Sequence, residues 1–305
     1  MIERPTVTVV IPAHARPREL RDAIASVRAQ DYAGRLDIVV VFDRAAPDDT
    51  LAVDDEQRPV RVLVNQRTPG LAGARNTGIL QSTGALVAFC DDDDMWRPGK
   101  LEKQVALLGR HPEAPLVTTA MSVDYGDHST VRLAGTNRVT HDMLLASRMS
   151  MLHSSSLVFR RSALMGELGL INEDIPGSQN EDWDILLRSS ALAPILHIDE
   201  PLVTVLWGRA SHFSRRWDTK IASSVWMLEN HPDIAGHRKG ASRVMGQIAF
   251  AHASDGNRRA AWRWAARSLR SDPLQWRSWT ASGVALAPRS SEFVLGTLHR
   301  WGRGV

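Results

Sequence analysis

Cysteine is nearly absent from this 305-residue chain: Cys90 is the only one. That excludes an intramolecular disulfide and any zinc site built from cysteines, and its place in the apolar run Leu86-Val-Ala-Phe-Cys90 marks it as a small core residue. Long hydrophobic runs are missing too, and no stretch reaches the roughly eighteen apolar residues of a membrane span. The first residues pass into Pro5-Thr-Val-Thr-Val-Val-Ile11 without a signal-peptide pattern, so a cytoplasmic protein is expected. Internal repeats and low-complexity segments are lacking. So are the glycine-rich signatures of P-loop and dinucleotide-binding folds.

What is present describes a globular protein, 43% hydrophobic and 23% charged. Its length allows one large domain or a main domain with an appendage. The net charge of +3 hides an asymmetry: residues 215–305 hold 15 Lys/Arg against 6 Asp/Glu, and also seven of the ten tryptophans. The remaining 214 residues are acidic overall. A boundary is therefore expected between a body, 1–214, and a basic, Trp-rich tail, 215–305. The body alternates strand-like, largely apolar runs (6–11, 36–42, 60–65, 85–90) with segments of helical spacing (18–30, 73–82, 99–110). Such order predicts an α/β fold with a mostly parallel sheet flanked by helices. Further strands are expected at 116–123, 155–159 and 195–206, a helix at 181–190, and helices throughout the tail.

The densest chemical signal is Asp91-Asp92-Asp93-Asp94 at the end of an apolar strand. Gathering carboxylates at one point costs repulsion that a hard divalent cation relieves, and strand ends of open α/β sheets are where ligands bind. Asp91 and Asp93 could face one cation, Mg²⁺ or Mn²⁺, bridging a diphosphate. An EF-hand is excluded by the missing glycine and distal glutamate, and a haloacid-dehalogenase-type phosphatase by Met95. Upstream, Gly70-Leu-Ala-Gly73-Ala-Arg75-Asn76 brings a backbone able to approach a ligand and an arginine on the first turn of a helix, where an anion is favoured. Asp43 closes the second strand, placed to accept from an imide N–H of a pyrimidine or to cap a turn. Glu181-Asp182 opens a helix, whose N-terminus keeps a carboxylate ionised and able to take a proton.

Taken in order, Val10-Ile-Pro-Ala-His14, Gly70-Leu-Ala-Gly-Ala-Arg-Asn-Thr-Gly78, Phe89-Cys-Asp-Asp-Asp-Asp-Met-Trp-Arg-Pro-Gly-Lys-Leu-Glu102 and Asn180-Glu-Asp-Trp-Asp184 resemble the GT-A nucleotide-sugar transferases of glycosyltransferase family 2. The resemblance spans residues 5 to about 214. It implies a Rossmann-like GT-A domain, to which the helical tail forms a C-terminal appendage, a UDP-, dTDP- or GDP-sugar donor, a divalent cation on the diphosphate, and an inverting transfer to a glycan, lipid-linked or small-molecule hydroxyl. It further implies that Pro12, Ala13, His14 and Arg16 line the nucleoside pocket. Asp43 would meet the base, and Gly70, Arg75 and Asn76 would contact the nucleotide. Asp91 and Asp92 would lie at the donor, with Asp91 and Asp93 on the metal, Asp94 supporting and Asp92 the most dispensable. Asp182 becomes the base and Glu181 its neighbour. His212 falls where relatives can place a metal or phosphate ligand.

Two departures bear on specificity. Relatives often carry Asp-Asp-Gly-Ser where this chain has Asp43-Arg44-Ala45-Ala46, which leaves the base undecided. A tyrosine-rich strand is replaced by Leu202-Val-Thr-Val-Leu-Trp207. In the tail, Arg259, Arg263, Arg267 and Arg270 recur at helical spacing, with Trp262, Ala266 and Leu269 expected on a different face. Peripheral membrane contact at the inner face, packing on the body and homodimerisation are its three open uses. Nucleic acid is not expected, since the body is acidic and carries no recognised module. A non-catalytic nucleotide-sugar sensor and a metal-dependent sugar nucleotidylyltransferase are the competing functions.

Overall fold

The computed structural model describes residues 4–206, 216–287 and 294. They divide into two compact units. One holds the residues up to His141, then Met149–Glu173, and the stretch from Glu181 through the last strand. The other gathers Asp142–Arg148, Asp174–Asn180 and the described residues of the tail.

The first unit is built on a ten-stranded sheet. Its strands are β1 (Val7–Ala13), β2 (Leu36–Phe42), β3 (Val60–Val64), β4 (Leu86–Phe89), β5 (Asp94–Trp96), β6 (Leu116–Asp124), β7 (Ser129–Arg132), β8 (Arg138–Val139), β9 (Val158–Arg160) and β10 (Ile195–Leu206). The order is β3-β2-β1-β4-β9-β6-β10-β5, with β7 on β6 and β8 on β10. Strands β1 to β4 are parallel, as are β6 and β10. The expected parallel order is interrupted inside the sheet by β9, antiparallel to both β4 and β6, and at its margins by β5 and β8, antiparallel to β10, and β7, antiparallel to β6.

Every residue of β1 and β2 is buried. Their β-branched runs, apolar on both faces, suit a sheet covered on both sides. The one charge inside β2, Asp37, is neutralised by two bonds from Arg61 at 3.1 and 2.8 Å. Around the sheet lie α1 (Pro17–Arg28), α2 (Leu71–Leu80), α3 (Lys100–Arg110), α5 (Arg161–Leu164) and α6 (Glu181–Leu192), while the short α4 (His141–Ala146) belongs, after its first residue, to the second unit.

Two glycines set how closely α2 is held. A Cβ on Gly78 would lie 2.3 Å from Val10 Cγ1, so the helix rests directly on β1. A Cβ on Gly73 would lie 1.9 Å from the carbonyl oxygen of Thr68, a backbone atom with no freedom to move aside. Gly73 therefore serves closure of the 65–70 loop onto the helix rather than approach to a ligand. Gly73→Ala is expected to cost about 1–3 kcal/mol, as overpacking does, read as a lower midpoint in urea denaturation at unchanged slope.

Register decides where the site lies. Ala13 pairs with Phe42 and Val10 with Phe89, so β1, β2 and β4 present their carboxyl ends side by side. Between β1 and β4 the strand order reverses, which makes this the topological switch point of the sheet.

In the second unit, α7 (Trp217–Asn230), α8 (Pro232–Gly236), α9 (Arg238–Ser254), α10 (Arg258–Ser271) and α11 (Trp276–Leu286) fulfil the helical expectation for the tail. Their core is made of small residues, Ala249, Ala253, Ala261, Ala265, Ala281 and Ala285, with Phe250 and Val284. Close approach lets Ser268 Oγ donate to Ser242 O at 2.6 Å and brings Ser278 Oγ within 2.7 Å of Ser268 Oγ. The buried face of α10 is Ala260, Ala261, Ala265 and Ser268. Trp262 and Ala266 lie with the arginines on the exposed face, unlike the separation expected from spacing. Small residues dominate the inside because they allow close helix spacing, with Trp217 and Trp264 packed at its margin.

Candidate active site

The chain leaves β1 through His14-Ala15-Arg16 and β2 through Asp43-Arg44, with Ala15 and Arg44 both held at φ of +50°. A cleft opens beside these exits, lined by Ala13, His14, Arg16, Phe42, Ala45 and Asp48 among others. Pro12 and Ala13 are buried in β1, and Ala13 O accepts from Asp43 N at 3.0 Å. The Asp43 carboxylate is 7% exposed and accepts from Asn65 Nδ2 at 2.7 Å, Gly70 N at 3.0 Å and Arg44 Nε at 3.0 Å. Burial raises its pKa, but these donors together bring it below the ordinary carboxylate value. Asp43 thus anchors the Gly70 loop to β2.

The four aspartates form a turn closed by Asp94 N donating to Asp91 O at 3.1 Å, and they divide into two pairs. Asp92 and Asp93 face the exit of β1. Asp92 accepts from His14 N at 2.9 Å and from Arg16 at 3.2 Å, and Asp93 pairs with the same guanidinium. Burial pushes the pKa of Asp92 to about 6; burial and then Asp94 push that of Asp93 to about 7. Asp92, expected to be the most dispensable of the four, ties the turn to β1.

Asp91 and Asp94 face the opposite way, toward a 3₁₀ turn at Ser154–Ser156. Ser154 Oγ donates to Asp91 Oδ2 at 2.8 Å, Ser155 Oγ to Asp94 Oδ2 at 2.5 Å, and His153 Nδ1 lies 3.1 Å from the same oxygen. Burial lowers the pKa of His153, but Asp94 and then Asp91 outweigh it and hold the ring near 9. Asp91, Asp94 and His153 each offer a ligand atom within 4.8 Å of the others, two carboxylates and an imidazole, a donor set that suits Mn²⁺. Asp93, expected to face one cation with Asp91, is not in this group, because the turn directs it to Arg16. His212 lies outside the described residues.

Neither Arg75 nor Asn76 is presented to a ligand. Arg75 is 1% exposed and bridges Asp91, at 2.5 Å, and Glu181. Burial alone would lower its pKa, yet Asp91 and Glu181 reverse the shift and raise it. Asn76, equally buried, is occupied by Ile171 and by Glu173: its Nδ2 donates to Ile171 O at 2.8 Å and to Glu173 Oε1 at 2.6 Å, while its Oδ1 accepts from Ile171 N at 2.9 Å. The expectation that both reach the nucleotide gives way to internal bonding. The reason is distance in sequence: their partners lie 95 to 106 residues away, apart from Asp91.

Through Arg75 the acidic turn and the start of α6 are joined. Glu181 is 4% exposed. Asp182 is only partly buried, and its charge acts on both Arg75 and His153. The structure thus gathers Asp91, Asp94, His153, Arg75, Glu181 and Asp182 at one place, beside the β1 and β2 exits. His153, Ser154 and Ser155 escaped sequence reasoning. Their signal is a histidine and three serines opening what reads as a core strand.

Comparison with known proteins agrees with this architecture. The profile of the family "Glycosyl transferase family 2" matches residues 8–166. Over 103 residues the chain is 30% identical to the UDP-Glc:alpha-D-GlcNAc-diphosphoundecaprenol beta-1,3-glucosyltransferase WfgD of Escherichia coli, a match covering 33% of this chain and 40% of that enzyme's length. The fold is similar to residues 1–349 of S. aureus TarS in complex with UDP-GlcNAc (TM-score 0.62, 16% identity, 98% of this chain and 92% of that one). It is also similar to the mannosyltransferase PcManGT of Pyrobaculum calidifontis in complex with GDP-Man and Mn²⁺ (TM-score 0.60, 19% identity, 99% and 89%). The sheet is that of a GT-A glycosyltransferase, and the profile match over more than half of its length shows that the chain belongs to glycosyltransferase family 2.

Proposed function

We propose that the protein transfers a sugar from a nucleoside diphosphate sugar to an acceptor hydroxyl with inversion at the anomeric carbon, with Asp182 as the general base. The observation that supports this reading is the pair of salt bridges from Arg75 to Asp91 and Glu181, which holds the Glu181-Asp182 end of α6 beside the Asp91, Asp94 and His153 corner. Solved relatives of this fold hold UDP-GlcNAc, UDP and GDP-Man, which supports a nucleotide-sugar donor and leaves its base open.

The roles follow from exposure and pairing. Asp182 is the acid of the Glu181-Asp182 pair that is only partly buried, and it takes the proton of the incoming hydroxyl as that oxygen attacks from the face opposite the leaving diphosphate. Glu181 is committed to Arg75 and positions rather than reacts. The cleft beside Ala13, His14 and Phe42 takes the nucleoside, with Arg16 at its border. Asp91, Asp94 and His153 are the residues that would hold Mn²⁺ or Mg²⁺. When bound there, the cation would supply positive charge that offsets the negative charge developing on the leaving diphosphate.

Two tests separate these assignments. Calorimetry with a nucleoside diphosphate should show Mn²⁺-dependent affinity falling at least tenfold in Asp94→Asn and His153→Gln and less in Asp93→Asn; equal losses in all three would return Asp93 to the metal. The second test uses pH. Because Asp92 and Asp93 carry raised pKa values, the folded protein holds more protons than the unfolded one between roughly pH 4 and 7, so their effect is a stability that falls as pH rises through that window. A cation beside them counteracts the repulsion. The rise in melting temperature on adding Mn²⁺ should therefore grow from pH 5.5 to 7.5, about the interval of these shifts.

A further inference from the structure

We propose that the outward face of α10 is a docking surface for an anionic lipid bilayer. Arg258, Arg259, Arg263, Arg267 and Arg270 lie on this helix, and it contains no acidic residue. All five are exposed, and none forms an ion pair among the described residues. A helix whose charges served only solubility would mix both signs, as i, i+4 pairs do. Here one sign stands alone.

The same face carries Trp262, 46% exposed, one turn from Arg259 on one side and Ala266 on the other. Its burial against α9 and α11 is not available, since those contacts are taken by Ala260, Ala261, Ala265 and Ser268. At the C-terminal end of the helix, the 272–275 turn leaves Leu274 86% exposed. Trp279, 61% exposed, is fixed to that turn by its indole N–H donating to Pro273 O at 2.9 Å. Tryptophan interleaved with arginine is the composition of a helix that lies in the headgroup layer. The guanidinium forks meet phosphate, and the indoles settle at the boundary between headgroups and acyl chains. A nucleic acid duplex would use the same charges but give Trp262 no apolar phase to enter, so the apolar contribution of this face decides for lipid. The proposal does not depend on the reaction assigned above, and either can fail alone.

The test is flotation of the full-length protein with vesicles of phosphatidylcholine alone or with phosphatidylglycerol, at low and high salt. The protein should float with the anionic vesicles at low salt and be released by high salt or by removal of the anionic lipid. Neutralising an arginine near such a surface weakens binding roughly fivefold, so Arg259→Ala/Arg263→Ala/Arg267→Ala should lose about a hundredfold. Trp262→Ala should weaken binding at unchanged charge, and quenching by brominated acyl chains should diminish in Trp262→Phe. Unchanged far-ultraviolet circular dichroism checks that these surface variants remain folded. The proposal is overturned if the wild type stays unbound at low salt. It is also overturned if the triple variant floats like the wild type, or if duplex DNA binds while vesicles do not.

Discussion

Asp182→Asn should lower the transfer rate by about a thousandfold while leaving affinity for the nucleoside diphosphate within a factor of two or so, the range in which general-base catalysis operates. The asymmetry follows from geometry. Asp182 is only partly exposed at the start of α6, and its neighbour Glu181 is enclosed and bonded to Arg75. Asparagine keeps the size of the side chain and its acceptance of the Trp183 N–H, which Asp182 Oδ1 now receives at 2.8 Å, but cannot take a proton. Single-turnover measurements with saturating donor isolate the chemical step, since slow product release would otherwise mask the loss. A variant transferring sugar at the wild-type rate would remove Asp182 from the mechanism. Glu181→Gln makes the complementary control, because its loss should appear first in stability.

Arg75→Met is expected to be the most destabilising single change in the first unit, at about 3–5 kcal/mol, since two buried carboxylates lose their common cation. Arg75 is 1% exposed and Glu181 4%, so water cannot replace the guanidinium without opening the fold. The sign of the pH response distinguishes this cause from lost packing. Without Arg75, the folded-state pKa values of Glu181 and Asp91 should rise above their unfolded values, making the penalty largest at neutral pH and smaller as pH falls and the acids protonate. Melting curves of wild type and variant should converge on acidification. A constant difference from pH 5 to 8, about the range over which such buried acids titrate, would assign the effect to packing. Even where Arg75→Met folds, it should bind Mn²⁺ less tightly, since Asp91 loses the bond that orients it.

The α/β architecture was legible because β1, β2 and β6 are rich in β-branched residues and β4 is a short apolar run, each set between segments of helical period. The strands that escaped were β5, β7 and β8, which have three, four and two residues and hence no measurable period. The start of β9 was misplaced because Ser155 and Ser156, expected in a strand, form a 3₁₀ turn that serves the aspartates instead. In the site, which residue types gather was legible, but their partners were not. Arg75 looks like an anion-binding residue on a helical first turn until Glu181, 106 residues later, is brought against it. Asp93 and Asp94 are alike in sequence and differ only in which way the turn points them. Local pattern carries no information on that choice, which is made by Arg16 on one side and by Ser155 and His153 on the other.

A ten-stranded sheet invites a question of assembly, because any open strand edge is a template for another chain. The strands ending the main path, β3 and β5, have five and three residues, and the two off the path, β7 and β8, have four and two. Val53 partly caps β3 by an antiparallel bridge to Val60. Edges this short offer too few hydrogen bonds to capture a second sheet, which is how natural β proteins resist runaway aggregation. The sheet is therefore closed to growth, and crowded or concentrated conditions should leave it unpaired even though its core strands are as apolar as those of a fibril former.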